Sequence, residues 1–91
     1  MKRYEQFYIG GEWVTPAGTA TEDVVNPATE EIIGSVPMGT PEDVDRAVAA
    51  ARQAFPSWST TSVDVRAKYL RDIGAALTAC YDAAVNTISA E

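Results

Sequence analysis

The chain has 91 residues, a formal net charge of −6 and a hydrophobic fraction of 46%. Seven scattered basic residues against thirteen acids argue against a nucleic-acid backbone or an anionic membrane surface as partner, because both need clustered Lys and Arg. A single cysteine, Cys80, rules out an intrachain disulfide framework and fits a reducing compartment.

The opening residues Met1 to Gln6 are charged and have no apolar stretch behind them, so no secretory leader is expected. No run approaches the ~18 uninterrupted apolar residues of a membrane span, and a soluble cytoplasmic protein is the expectation. Phe7-Tyr8-Ile9 and Glu12-Trp13-Val14 are rich in β-formers and flank Gly10-Gly11. A two-residue glycine loop permits the positive φ angles of a tight turn, which predicts a hairpin over about 7–14. Thr15-Pro16-Ala17-Gly18 reads as a loop. A second ribbon is expected over about 21–36, turning around Asn26-Pro27-Ala28-Thr29, where Asn26 bonds its own following backbone and Pro27 presets φ.

The first helix is expected over about 41–55. Thr40 is a good N-cap, Pro41 suits the first turn, and Glu42 and Asp43 face the positive end of the macrodipole. Val44, Ala47, Val48, Ala51 and Phe55 form one apolar stripe at helical spacing, and Pro56 is expected to stop the helix. A second helix is expected over about 62–90, with a buried stripe of Tyr69, Ile73, Ala76, Leu77, Cys80, Ala84 and Ile88. Gly74 inside it costs about 1 kcal/mol relative to alanine. Two hairpins followed by two amphipathic helices make an α+β piece.

Chemistry is sparse. With no histidine, the commonest general base is absent. Cys80 lies on the apolar stripe with no base or cation placed to activate it, so it reads as a buried, inert thiol. Glu30 and Glu31 are adjacent and point apart, which suits a solvated edge better than an acid–base pair. Gly10-Gly11 opens no helix and cannot cradle a phosphate, and no dinucleotide or P-loop glycine pattern occurs. Trp13, Trp58, Tyr69 and Tyr81 lack basic neighbours and read as core or interface anchors.

The order of these elements resembles the N-terminal segment of the aldehyde dehydrogenase superfamily over almost the whole chain. Tyr8-Ile9-Gly10-Gly11-Glu12-Trp13 is similar to that family's first hairpin and Val25-Asn26-Pro27-Ala28-Thr29 to its second. Thr40 through Val48 resembles its first helix, closing at Ala50 through Trp58, and Arg66 with Leu70-Arg71 resembles the next. Ser62-Val63-Asp64-Val65-Arg66 departs from the pattern, with Val65 where a second acid is usual.

The resemblance implies a longer parent of α/β aldehyde dehydrogenase-like fold, of which residues 1–91 would be an incomplete part of the cofactor-binding domain. It implies oxidation of an aldehyde to an acid or acyl derivative with NAD or NADP through a cysteine thiohemiacetal. The nucleophile, base and cofactor segment lie downstream in the family, so no catalytic or cofactor-binding residue carries over. The implied partners are the remainder of the parent chain, an aldehyde substrate and, for the full enzyme, a homodimer or homotetramer. The resemblance also implies a structural Na+ or K+ ion, held by carbonyls at Val24 and Val25 and an acid at Glu91. A rival expectation is a stand-alone, non-catalytic acidic α+β interaction module with its own closed core.

Overall fold

The computed structural model describes all 91 residues. Five short strands, β1 (Lys2–Arg3), β2 (Phe7–Ile9), β3 (Glu12–Val14), β4 (Thr21–Val25) and β5 (Ile32–Pro37), precede three helices. These are α1 (Pro41–Ser59), α2 (Val63–Ala79) and α3 (Tyr81–Ala90). The fold class is α+β.

β2 and β3 pair antiparallel, with Tyr8 opposite Trp13, around Gly10 and Gly11 at φ +63° and +82°. Only residues without a Cβ reach those angles cheaply, so the glycine pair fixes the turn. The hairpin's Phe7, Ile9 and Val14 are half-buried, while Tyr8 and Trp13 stand on the open face with ring centroids 5.1 Å apart.

A second sheet has the order β1-β5-β4, with β4 antiparallel and β1 parallel to the central β5. Its β4–β5 turn follows the Asn26 chemistry: Asn26 Oδ1 accepts from the N–H groups of Ala28 at 2.8 Å and Thr29 at 3.3 Å. The register slips between Val24 and Val25, so that β5 skips Ile33. Strand β1 was not expected, because two charged residues give no alternation to read. Its seat is Gly34: a Cβ there would lie 2.8 Å from the Lys2 carbonyl oxygen.

Helix α1 begins as its cap residues require. Thr40 Oγ1 accepts from the Asp43 N–H, and Asp43 Oδ2 accepts from the Thr40 N–H, closing a reciprocal capping box. The expected stop at Pro56 does not occur; the helix runs one turn further, to Ser59. Proline's φ is already helical, and its missing N–H removes one bond near an exposed end. The hydroxyls of Ser57, Ser59, Thr60 and Thr61 bond back to carbonyls of residues 54, 56 and 57, which steadies that last turn.

The single helix expected over 62–90 is divided. Cys80 leaves helical geometry at φ −112°, ψ 28°, separating α2 from α3. Around the break, Thr78 Oγ1 donates to the Gly74 carbonyl and Cys80 Sγ to that of Ala76. Such back-bonding competes with the main-chain ladder and bends helices.

The stripes expected to be buried are open. No hydrophobic side chain is buried; the two buried residues are Gly34 and Asp43. Val44, Val48 and Phe55 of α1, and Leu70, Ile73 and Leu77 of α2, are all exposed. The accessible area is 7410 Å², against roughly 5,100 Å² for a compact monomer of this mass. The radius of gyration is 16.8 Å, against about 12 Å for a compact domain of this length. The elements are in place, but no layer within these 91 residues covers the apolar stripes of α1 and α2.

Candidate functional site

Asp43 is the most constrained polar group. It is 4% exposed, and its carboxylate accepts from the N–H groups of Ala17 and Thr40, each at 2.9 Å. The Thr40 hydroxyl donates to it at 3.1 Å and Arg46 Nη2 at 2.6 Å. Arg46 Nη2 also donates to the Thr15 carbonyl, so the loop after the hairpin is tied to the start of α1. The Thr40 and Ala17 N–H groups, with smaller help from Arg46 and the Thr40 hydroxyl, hold this carboxyl well below the usual carboxylate range despite its burial. Sequence reasoning identified the cap but not the partners at 15–17, for which a loop offers no periodic signal. An ionised carboxylate already fills the N-terminus of α1, so this end cannot take a phosphate.

Cys80, expected to be buried, is exposed, since the layer that would cover its face is absent from this chain. Its thiol is engaged with the carbonyls of Ala76 and Leu77 and meets no base. Glu30 and Glu31 do not converge on a shared site: Glu30 sits in the turn at φ +62°, and the Glu31 N–H bonds Thr29 Oγ1. Trp58 and Tyr69 pack edge to face at 5.6 Å across the α1–α2 junction. No group of three or more His, Cys, Asp or Glu side chains is gathered where it could hold a metal.

A concavity of about 490 Å³ lies between the β1-β5-β4 sheet and the last turns of α3. Val24 and Glu91, sixty-seven positions apart in sequence, both line it, together with Lys2, Gly34, Asn86 and Thr87. Val25 is not among its walls. The slipped register between Val24 and Val25 interrupts the ladder where the carbonyls of interest lie. Glu91 brings the one side-chain carboxylate to this space and Lys2 the one side-chain ammonium.

A sequence family, the aldehyde dehydrogenase family, matches residues 13–91. A 3-succinoylsemialdehyde-pyridine dehydrogenase from a Pseudomonas species is 45% identical over all 91 residues, which make up 19% of that relative. Malonate-semialdehyde dehydrogenase 1 of Geobacillus thermodenitrificans is 56% identical over 63 residues, 69% of this chain and 13% of that one. A crystal structure of an aldehyde dehydrogenase from Bartonella henselae superposes with a TM-score of 0.96 at 32% identity. It covers 99% of this chain, which spans 19% of that one. The chain belongs to the aldehyde dehydrogenase family and corresponds to an N-terminal segment of it. It spans about a fifth or less of the length of these relatives.

Proposed function

We propose that residues 1–91 are a scaffold portion of the cofactor-binding domain of a longer NAD(P)-dependent aldehyde dehydrogenase, which oxidises an aldehyde to an acid or acyl derivative. The observation that carries this reading is a fold matched at a TM-score of 0.96 inside a chain about five times as long, while its own helix faces lie open. The open stripes of α1 and α2 are suited to packing on a further layer of the parent chain, such as a parallel sheet covered by helices. NAD(P)+ supplies hydride-acceptor chemistry in such an enzyme, and the 91 residues described here contribute position and support to the domain that holds it. Oxidation would proceed through a thiol other than Cys80, whose bonds to carbonyls give it no activating partner.

The same reading assigns Val24, Val25 and Glu91 to a structural Na+ or K+ ion, with Val24 and Val25 offering main-chain oxygens from the end of β4. It also makes the complete enzyme a cytoplasmic homodimer or homotetramer. Both named relatives act, by their names, on semialdehydes, so a semialdehyde is the first substrate class to try.

The test compares purified residues 1–91 with the complete gene product, following NAD(P)H absorbance with a panel of semialdehydes. The complete protein is expected to turn over and the segment alone to be inactive. Turnover by the isolated segment would overturn the scaffold role. A complete protein that oxidises no aldehyde would overturn the enzyme. The rival reading, a self-sufficient interaction module, is disfavoured by the absence of any buried hydrophobic side chain.

A further inference from the structure

The β2–β3 hairpin lies against α1, where a Cβ at Gly10 would come within 3.7 Å of the Ala50 Cβ. Asp43 and Arg46, which bond to the loop after the hairpin, share that side of the helix with Ala50. Val44, Val48 and Phe55 lie roughly 150° round the helix axis, at ~100° per residue. A further layer laid on that apolar stripe therefore meets α1 from the far side and leaves the hairpin outermost. Tyr8 and Trp13 stand on the outer face of the hairpin, 63% and 65% exposed, and Tyr4 is 53% exposed. A notch of about 300 Å³ opens next to Trp13, lined also by Arg3, Tyr4, Glu5 and Gln6. Neither Arg3 nor Glu5 forms an ion pair within the chain.

We propose that this outer face is a contact between two copies of the chain related by a two-fold axis, an inference that rests on the homo-oligomeric reading of the complete enzyme. The Trp13 indole of each copy enters the notch of the other, and Arg3 of each meets the other's Glu5. A two-fold contact needs a surface complementary to itself, and this one sets a knob beside a hollow and a cation beside an anion. Exposed aromatic rings bordered by polar side chains have the make-up of an interface centre and its rim. At roughly 150–250 Å² for a whole aromatic side chain, the exposed parts of Tyr4, Tyr8 and Trp13 offer on the order of 400 Å². That is about half of the ~800 Å² that each partner brings to a stable contact. The other half falls to polar neighbours and to residues beyond this segment.

The experiment follows assembly of the complete protein by sedimentation across a dilution series, for wild type, Trp13→Ser, Arg3→Glu and Glu5→Arg. Trp13→Ser should raise the concentration at which one association step is half complete by about thirtyfold or more, the loss expected of a central aromatic anchor. Arg3→Glu and Glu5→Arg should each assemble about five- to thirtyfold more weakly, because like charges then face one another. An equimolar mixture of those two variants should recover wild-type assembly, since every contact between unlike copies pairs opposite charges again. Recovery of that kind arises only between chains, so a variant that merely folds poorly does not produce it. A wild-type oligomer whose assembly none of the three variants alters overturns the contact and leaves the homo-oligomer standing. Weakening by both charge variants without recovery on mixing overturns the two-fold pairing of Arg3 with Glu5. A wild type that stays monomeric at every concentration overturns the homo-oligomer and the contact together.

Discussion

Glu30 is the one non-glycine residue with a positive φ, +62°, and it closes the turn between β4 and β5. An L-residue in this left-handed region is strained by roughly 1–2 kcal/mol, because its Cβ crowds the following carbonyl. Glycine removes that strain but loses more freedom on folding, about 0.5–1 kcal/mol. Replacing Glu30 with glycine is therefore expected to stabilise the turn by about 0.5–1 kcal/mol. The flanking bonds, Glu30 N–H to Asn26 O at 2.8 Å and Asn26 N–H to Glu31 O at 2.9 Å, involve only main chain and survive the change. The assay is amide hydrogen exchange across residues 26–32 in the complete protein, where local opening reports local stability. Glu30→Gly should slow exchange about two- to fivefold. Glu30→Ala should leave it unchanged, since alanine retains the Cβ. Equal slowing by both variants would refute the strain argument and put the effect in the loss of the Glu30 carboxylate.

Three more outcomes follow from the geometry. Gly34→Ala should free β1 while sparing the β4–β5 pair, seen as lost exchange protection at the Tyr4 amide but not at Asn26, because the added Cβ would meet main chain at 2.8 Å. Asp43 is held below its usual range in the fold, so its contribution is complete above about pH 4, the range of the free carboxyl, and is lost as pH falls through the lowered value. Thermal midpoints of wild type and Asp43→Asn should accordingly differ by a constant amount between pH 5 and 8 and converge in strong acid; a gap that widens towards acid would contradict the linkage. Purified residues 1–91 should melt broadly and bind a hydrophobic dye, and a sharp, dye-silent monomeric transition would contradict the open-faced architecture.

The parts of the fold that were legible in the sequence are those set by local chemistry. Gly10-Gly11, the Asn26 turn and the Thr40–Asp43 cap each specify a bond or a dihedral within a few residues. What escaped was non-local or a matter of balance. The seat of β1 depends on Gly34, thirty-two positions from Lys2, and is written as an absent side chain. Pro56 reads as a stop, but the hydroxyls that follow it steady one more turn. The break at Cys80 falls where Thr78 and Cys80 bond back to the carbonyls of Gly74 and Ala76, a residue spacing that matches an unbroken helix equally well. Cys80 and both apolar stripes stand exposed, because periodicity identifies the face that prefers cover without stating that the cover lies within these 91 residues. At the concavity, family likeness named Val24, Val25 and Glu91, whereas Lys2 lies on a two-residue strand with no alternation to read.

The uncovered helix faces have a consequence for biosynthesis. In a protein of the proposed length, roughly four hundred residues follow this segment, and at about 5–20 residues per second they take on the order of half a minute to emerge. For that interval the ribosome carries a nascent α1–α2 surface with Val44, Phe55, Leu70 and Leu77 in water. The segment's net charge of −6 repels neighbouring nascent chains, and Glu22 and Asp23 put acids on the outer strand β4, discouraging strand-to-strand aggregation. Substitutions that neutralise those acids should lower soluble yield from the cell while leaving the finished enzyme's turnover intact.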